Sequence, residues 1–497
     1  MRTCISRRDL LAALLGGVAM PAVASAPLSS PRPVARKGTV PAVSAKTPEA
    51  LIKSAKLGGR LAFSVSDART GLTLESRNGA LPLPPASTAK TITAAYALAT
   101  LGGGYRYRTR ILAAGRIANG RLDGDLILAG GGDPTLNTDQ LGDLARDLKG
   151  AGLREVSGRF LVYSGALPFV DRIDDDQLEH ASYNPALNGM NLNFNRVHFE
   201  WKKASTGYQI TMEARTKRFR PQVSVARMRI IDRQLPVYTY TRSNAVDQWT
   251  VARSALGKRG ARWLPVRDPA AYAGDVFQTL ARAHGIALRD AREIKNLPAT
   301  VTQLAEVQSA PLAEMVRAML KYSTNLTAEV LGLTATAARG IAPRTLAQSA
   351  AAMTDWAQGA LGLAGSKFVD HSGLGGASRV TSDDLAKALV RIGPGGQVAG
   401  LMKTIPLRDA KNKIDRSHPI KVRAKTGTLD FVSALTGYIT TPDGTDLAFA
   451  IYVADLPRRQ RSRSRDNEIP KGLRSWTRRS RKLQQDLIER WGALYGN

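Results

Sequence analysis

The pattern of apolar and polar residues changes several times along the chain, and its first part predicts a hairpin followed by a helix. A short helical pattern covers residues 51–55, and two strand-like segments, 60–66 and 72–76, lie on either side of a turn. A longer helical pattern begins at Ser87, directly after a proline-rich stretch, and a run of three glycines from Gly102 ends it.

The middle and the end of the chain have different patterns. Between residues 105 and 266, short segments separated by Asn and Gly turns predict many strands. Later helical patterns cover residues 275–285, 312–320, 325–333 and 346–361, and later strand patterns cover residues 421–428, 434–439 and 447–453. We interpret residues 47–104 and 267–497 as one α/β domain, which a β-rich insertion at residues 105–266 splits in sequence.

The start of the chain predicts export. Residues 1–24 combine Arg7 and Arg8 with an apolar run and small residues before Ala24, which is typical of a signal peptide. The run is too short for a membrane-spanning helix. The arginine pair fits the twin-arginine route, with an ordinary signal peptide as the alternative. Residues 25–46, which are rich in proline, are expected to form a linker, and the expected location is the periplasm.

Composition narrows the possible chemistry and partners. Cys4 is the only cysteine and lies in the predicted signal peptide, which excludes a catalytic cysteine, thiolate zinc sites and disulfides from the mature chain. The net charge is 71 − 41 = +30. In an exported protein, this charge favours anionic wall polymers or membrane surfaces as partners over nucleic acid.

Part of the positive charge is concentrated near the C-terminus. Between Arg458 and Lys482, eleven residues are basic and two are acidic. We interpret this basic segment, about residues 457–482, as a solvated or disordered surface loop, and a specific binding patch is the alternative.

The predicted helix at Ser87 carries a candidate nucleophile and base. Ser87 and Lys90 are three residues apart, so their side chains share one face of a helix. A serine hydroxyl needs such a base, and Lys90 serves as one only if burial or a second cation lowers its pKa. An S-x-x-K match alone is also compatible with two unrelated surface residues.

Two further segments complete a set of motifs. Ser323-Thr324-Asn325 lies at a break between helical patterns, where a helix cap is the alternative explanation. Lys425-Thr426-Gly427-Thr428 lies on a predicted strand, and an exposed strand that ends in a glycine turn is the alternative. The order S-x-x-K, S-x-N, K-T-G is typical of penicillin-binding proteins and class A β-lactamases.

The spacing of the motifs distinguishes branches of this group. The gap from Lys90 to Ser323 is 323 − 90 = 233 residues, which is far too long for a compact β-lactamase. With the segments Gly130–Leu136, Asn191–Asn195 and Asp370-His371-Ser372-Gly373-Leu374, the chain resembles the D-alanyl-D-alanine carboxypeptidase/endopeptidase family, the class C low-molecular-mass penicillin-binding proteins, over most of residues 47–455. His371 stands where the family has glycine, either as a satisfied loop residue or as a group that touches substrate.

The resemblance implies a fold and a set of residue roles. The fold is the penicillin-binding/β-lactamase-like transpeptidase domain, an antiparallel sheet flanked by helices. The implied catalytic residues are Ser87 as nucleophile, Lys90 as base, Ser323 as proton relay and Asn325 as a contact of the acyl side chain. Substrate binding falls to Lys425, Thr426, Gly427 and Thr428, and no metal or cofactor is implied.

The same resemblance implies the substrates: stem peptides of peptidoglycan that end in D-Ala-D-Ala, D-Ala-diaminopimelate cross-links, and β-lactams as mimics. For the amine of diaminopimelate, the acidic cluster of Asp171, Asp174, Asp175 and Asp176 is a candidate site, with a solvated turn as the alternative. A β-lactamase or esterase of the same fold, and a non-catalytic protein that binds the cell wall, are the alternative functions.

Overall fold

The computed structural model describes residues 46–409, 411–462 and 469–496. The predicted signal peptide and all but the last residue of the predicted linker lie outside these ranges and remain predictions. Within the described ranges, no helix is both long and apolar enough to cross a membrane.

Strands and α-helices occur in groups along the described ranges. The strands are β1 (Arg60–Asp67), β2 (Thr73–Arg77), β3 (Arg108–Ala118), β4 (Arg121–Ala129), β5 (Glu155–Val156), β6 (Phe160–Tyr163), β7 (Arg196–Lys203), β8 (Tyr208–Glu213), β9 (Ala226–Ile231), β10 (Tyr238–Ser243), β11 (Val246–Ala252), β12 (Arg259–Pro265), β13 (Ala291–Ile294), β14 (Thr302–Gln308), β15 (Lys403–Thr404), β16 (Lys421–Leu429), β17 (Val432–Thr440) and β18 (Asp446–Ala454). The α-helices are α1 (Pro48–Ala55), α2 (Ala89–Leu101), α3 (Thr138–Gly150), α4 (Pro269–Ala283), α5 (Leu312–Tyr322), α6 (Asn325–Ala338), α7 (Leu346–Leu361), α8 (Ser382–Ile392), α9 (Gln397–Leu401), α10 (Leu456–Ser462) and α11 (Leu473–Leu494).

The first sheet is antiparallel and joins the two ends of the described chain. Its strand order is β15-β16-β17-β18-β1-β2. Helices cover both faces, and side chains of different size line the two faces of β18. Phe449 and Ile451 pack towards α11, whereas Ala448 and Ala450 belong to the core with α2 and α8, where short side chains let the helices approach. This arrangement confirms the predicted antiparallel sheet flanked by helices.

The predicted β-rich stretch forms three further sheets. Their orders are β13-β6-β4-β3-β14, with β5 beside β4, then β10-β11-β9 and β12-β7-β8. Strands β13 and β14 come from beyond residue 266, the predicted end of the insertion. Helix α4 packs on the sheet that contains β6, with the rings of Phe277 and Phe160 5.7 Å apart. After α4 the chain returns to this sheet, where β13 pairs with β6 and β14 pairs with β3. The sheet therefore continues to Gln308, and the split of the chain into domains stays a prediction.

The basic segment near the C-terminus is largely helical, so the prediction of a loop is wrong for its described part. Trp476 and Trp491 of α11 are buried against the first sheet, and the Trp476 indole N–H donates to the carbonyl of Leu57 at 2.9 Å. Arg474, Arg478 and Arg481 are exposed on α11. Their spacing of four and three residues places them on one helix face. The helix is amphipathic and forms part of the fold.

Candidate active site

Ser87 lies in a tight turn at the start of α2. Residues Ala86–Thr88 form one turn of 3-10 helix, so the α-helix begins two residues later than predicted. The carbonyl of Pro85 accepts hydrogen bonds from the backbone N–H and the hydroxyl of Thr88, at 3.2 and 2.7 Å. Ala86 has a φ of +47°, a conformation that strains residues other than glycine. The strained turn holds the Ser87 side chain beside Lys90.

Lys90 is completely buried and has three oxygen atoms around its amine. Nζ lies 3.1 Å from Ser87 Oγ, and it donates to Asn325 Oδ1 and to the Ser372 carbonyl, both at 2.7 Å. The two side chains of the S-x-x-K motif therefore contact each other, with Lys90 buried and Ser87 partly exposed, which favours a site over two unrelated surface residues.

The S-x-N motif connects two helices. Ser323 ends α5 with a φ of +61°, and Asn325 begins α6. The Asn325 amide donates to the Tyr183 carbonyl at 3.0 Å, which directs its oxygen towards Lys90. Ser323 Oγ accepts from Lys425 Nζ at 2.9 Å. The side chain of Thr324, the N-cap residue, makes no capping hydrogen bond, so these contacts favour a site over a helix cap.

The K-T-G motif lies on β16 as predicted. Lys425 is buried, and its Nζ also donates to the Thr426 carbonyl at 2.7 Å. A Cβ atom on Gly427 would lie 2.7 Å from the Pro85 carbonyl oxygen, so only glycine lets the strand approach the Ser87 turn this closely. Thr426 and Thr428 have exposed side chains. The three motifs converge on one place, although 323 − 90 = 233 residues separate the first from the second and 425 − 325 = 100 separate the second from the third.

Burial dominates the electrostatics of the two lysines. It lowers the pKa of Lys90 to about 8, while the carboxyl groups of Glu329 and Asp370 act to raise it. Burial also holds the pKa of Lys425 well below its usual range, and the charge of Lys90 lowers it further. Of the two causes expected from the sequence, burial or a second cation, burial is the one that lowers the pKa of Lys90.

Two carboxyl groups that act on Lys90 have no role in the sequence prediction: Glu329, which it does not name, and Asp370, which it names only as part of a family segment. Glu329 is fully buried, and burial raises its pKa to about 8, with a further rise from the Asp370 charge. Burial also raises the pKa of Asp370 to about 6. Glu329 follows Asn325 by one helical turn and is the only charged residue of α6. The sequence indicates this residue in one way: Glu329 is a single acidic residue in an otherwise uncharged helix and lies on the same helix face as Asn325.

Comparison with known proteins identifies the group to which this site belongs. A sequence profile of the D-Ala-D-Ala carboxypeptidase 3 (S13) family matches residues 44–479. The chain belongs to this family. It is a serine hydrolase, a peptidase of the penicillin-binding type. The match continues into α11, beyond residue 455 where the resemblance was expected to stop.

Relatives of this S13 peptidase match most of its length. A D-alanyl-D-alanine carboxypeptidase of Actinomadura sp. (strain R39) is 26% identical over 451 residues, which cover 81% of this chain and 79% of the relative. The D-alanyl-D-alanine carboxypeptidase DacB of Haemophilus influenzae is 25% identical over 414 residues, covering 80% and 85%. The crystal structure of penicillin-binding protein 4 from H. influenzae has a TM-score of 0.73 at 21% identity, covering 89% of this chain and 99% of that one. This structural likeness confirms the predicted fold class.

The unusual histidine of the S13 peptidase is an interior residue. His371 is fully buried, and its Nε2 lies 2.8 Å from Ser349 Oγ. Its ring lies directly over Gly332, where a Cβ atom would come within 2.1 Å. Burial lowers the pKa of His371 to about 3, so the ring is neutral. The interpretation as a satisfied loop residue is confirmed.

The acidic cluster of the S13 peptidase forms an exposed turn close to the site. Arg172 pairs with Asp171 at 2.7 Å and with Asp175 at 3.7 Å. Asn184 holds the same turn by accepting from the backbone N–H of Asp174, and the neighbouring Tyr183 carbonyl contacts Asn325. In the described ranges, no group of three or more His, Cys, Asp or Glu side chains could hold a metal ion.

Proposed function

We propose that this S13 peptidase hydrolyses the D-Ala-D-Ala ends and the D-Ala-diaminopimelate cross-links of peptidoglycan stem peptides through an acyl-enzyme on Ser87. The observation that carries the proposal is the 3.1 Å separation between the partly exposed Ser87 Oγ and Nζ of the buried Lys90. A base in hydrogen-bond reach is what a serine nucleophile requires.

In the first step, Ser87 Oγ attacks the carbonyl carbon of the penultimate D-Ala and its proton passes to Lys90 Nζ. The backbone N–H groups of Ser87 and Thr428 stabilise the oxyanion. Such a donor contributes roughly 10²- to 10³-fold to the rate, and a positioned base contributes roughly 10²- to 10⁴-fold. The close approach of Gly427 to the Ser87 turn supports a role for both backbones in one oxyanion site.

Acylation is complete when the bond between the penultimate D-Ala carbonyl and the terminal D-Ala nitrogen breaks, so that the terminal D-Ala leaves as an amine and Ser87 carries the acyl ester. In the second half of the reaction, water hydrolyses this ester, which releases the shortened peptide and regenerates Ser87. Ser323 delivers the proton to the leaving nitrogen, and its contact with Lys425 supports this relay. Lys425 and Thr426 bind the terminal carboxylate. Asn325 contacts the acyl side chain, in addition to the contacts that its amide makes with Lys90 and Tyr183.

Cleavage of cross-links requires recognition of an amine-bearing side chain. The turn with Asp171, Asp174, Asp175 and Asp176 carries negative charge, and Asp174 interacts electrostatically with the buried Asp370 near Lys90. This closeness supports a role for the turn as the amine site. Carboxypeptidase and endopeptidase activities then share one acylation centre.

Purified protein incubated with uncross-linked and cross-linked muropeptides tests the proposal. We expect the pentapeptide to lose one D-alanine and the cross-linked dimer to separate into monomers, with the products identified by mass. A heat-denatured sample is the control for spontaneous hydrolysis. Absence of both products from the active protein would contradict the proposal and would favour a non-catalytic protein that binds the wall.

β-Lactams are proposed as covalent inhibitors that acylate Ser87. H. influenzae penicillin-binding protein 4 has a structure in complex with a β-lactam, with a TM-score of 0.69 to this chain. A long-lived adduct on this chain is the outcome that supports a peptidase. Rapid turnover of penicillin would instead support the alternative of a β-lactamase.

We further propose a periplasmic location, where the basic face of α11 binds an anionic wall or membrane surface. Arg474, Arg478 and Arg481 present three exposed cations on a helix whose other face is fixed to the sheet. Each basic residue near an anionic surface contributes about 1 kcal/mol to binding. For the three arginines together, this corresponds to roughly a 100-fold change in the dissociation constant.

Replacement of these three arginines by glutamine is therefore expected to weaken binding to anionic lipid vesicles by about 100-fold at low salt. The matched control replaces Arg227, Arg229 and Arg289, which are exposed elsewhere, with the same loss of charge. Sedimentation of both variants with the vesicles, and with isolated wall polymer, measures the difference. Equal weakening by the two variants would attribute binding to net charge and contradict a specific face.

A further inference from the structure

The oxygen atoms around Lys90 determine the direction of its lone pair. The Asn325 amide oxygen and the Ser372 carbonyl oxygen accept hydrogen bonds and cannot donate them. Each lies 2.7 Å from Nζ, so each takes one N–H of the amine. A neutral lysine has only two N–H groups. With both engaged, its lone pair faces the third neighbour, Ser87 Oγ.

This geometry depends on where the Ser372 carbonyl is held. The two oxygens of Glu329 accept from the backbone N–H groups of His371 and Ser372, at 2.9 and 2.8 Å. Thr93 on α2 holds the same segment from the other side, because its hydroxyl donates to the His371 carbonyl at 2.6 Å. Asp370 fixes the following turn through the N–H groups of Gly373 and Gly375, at 2.7 and 2.6 Å.

We infer that Glu329 is a positioning residue, which orients the Lys90 amine towards Ser87 by holding the Ser372 carbonyl against it. Glu329 lies one turn after Asn325 on α6. This helix therefore supplies the Asn325 amide oxygen directly and holds the second acceptor, the Ser372 carbonyl, through the 371–372 segment. The inference rests on the proposed roles of Ser87 and Lys90.

The burial of Glu329 supports this role. The residue is inaccessible to solvent, and a buried carboxyl group without polar partners is strongly unfavourable. Its two backbone donors and the nearby Lys90 offset part of this penalty, as their lowering effects on its pKa indicate. A helix that only had to pack would carry an apolar side chain at this position.

A Glu329→Gln variant tests the inference because it keeps the size of the side chain. One carboxylate oxygen becomes an NH₂ group, which cannot accept from a backbone N–H, so one of the two bonds to the 371–372 segment is lost. Small displacements of a reacting group strongly lower the rate of the chemical step, so we expect the acylation rate constant with penicillin to fall by about 10- to 100-fold. The dissociation constant of the non-covalent complex, measured in the same saturation kinetics, should change by less than about threefold, because Glu329 is inaccessible to the ligand.

Two variants separate this result from a general loss of structure. Thr327→Val changes another buried polar residue of α6 that has no hydrogen bond to the segment, and its acylation rate should stay at the wild-type level. If Glu329→Gln does not fold, Thr93→Val removes the opposite contact and should itself slow acylation about tenfold.

A Glu329→Gln variant that folds and is acylated at the wild-type rate would overturn the inference. If Glu329→Gln does not fold, a wild-type acylation rate in Thr93→Val would overturn it. A loss confined to the dissociation constant would also overturn it. Failure of the proposed function is recognised separately, as absence of acylation in the wild type or persistence of acylation in Ser87→Ala.

Discussion

We expect a Ser87→Ala variant to take up no covalent label from a fluorescent penicillin and to release D-alanine from a pentapeptide only at the background rate. The adduct forms on Ser87 Oγ, so removal of this atom leaves nothing to acylate. Loss of a serine nucleophile lowers turnover by roughly 10⁶-fold in a well-studied serine protease. Gel fluorescence and chromatography of released D-alanine measure the two effects.

The fold of the Ser87→Ala variant should remain intact, because the one side-chain hydrogen bond of Ser87 within the described ranges is the one with Lys90. An unchanged melting temperature checks this point. A Cys4→Ala variant is the matched control, since Cys4 is the only thiol of the full chain and its loss should leave labelling unchanged. Label that persists on Ser87→Ala would assign the nucleophile to another residue.

The motif residues could be predicted from sequence because the information that specifies them is local. A spacing of three residues places Ser87 and Lys90 on one helix face, and alternation identifies β16 around Gly427. The order of the motifs then implied a common site. The structure brings them together through the contacts of Lys90 with Asn325 and of Lys425 with Ser323.

The residues that hold Lys90 depend on long-range contacts that spacing does not reveal. Ser372 is 282 residues from Lys90 and contributes a backbone carbonyl, which has no signature in the side-chain sequence. Glu329 acts on two backbone N–H groups of the same segment. Pairing of β13 with β6 and of β14 with β3 is likewise determined by tertiary packing, which the local pattern of apolar and polar residues does not reveal.

The basic segment was misinterpreted for a different reason. Eleven positive charges between Arg458 and Lys482 suggested a solvated loop. A count of charges does not show that the apolar residues in and after this segment recur with a helical period. Trp476, Leu483 and Trp491 recur at helical spacing and are buried against the sheet. Net charge therefore described the exposed face of α11, whereas the few apolar residues determined its structure.

We expect the acylation rate constant of the wild type to rise with pH and to level off above about pH 8. Lys90 must be neutral to accept the Ser87 proton, and burial lowers its pKa to about 8, so its neutral fraction grows as the pH rises towards that value. Glu329 and Asp370 are buried beside it, and Lys425 is a second nearby base, so the observed midpoint belongs to the whole set. Penicillin acylation kinetics on both sides of this pH measure the profile.

A Lys90→Met variant is expected to lose this rise, together with roughly 10²- to 10⁴-fold of the acylation rate, because methionine fills the buried space without a basic nitrogen. The matched control is Lys421→Met, which removes an exposed lysine from the same strand as Lys425 and should leave both the rate and the profile unchanged. A wild-type rate that falls as the pH rises through 8 would contradict a neutral Lys90 as base. A Lys90→Met rate equal to that of the wild type would move the proton acceptor to another residue, and the buried contacts of Glu329 and Ser372 would then have no part in the activation of Ser87.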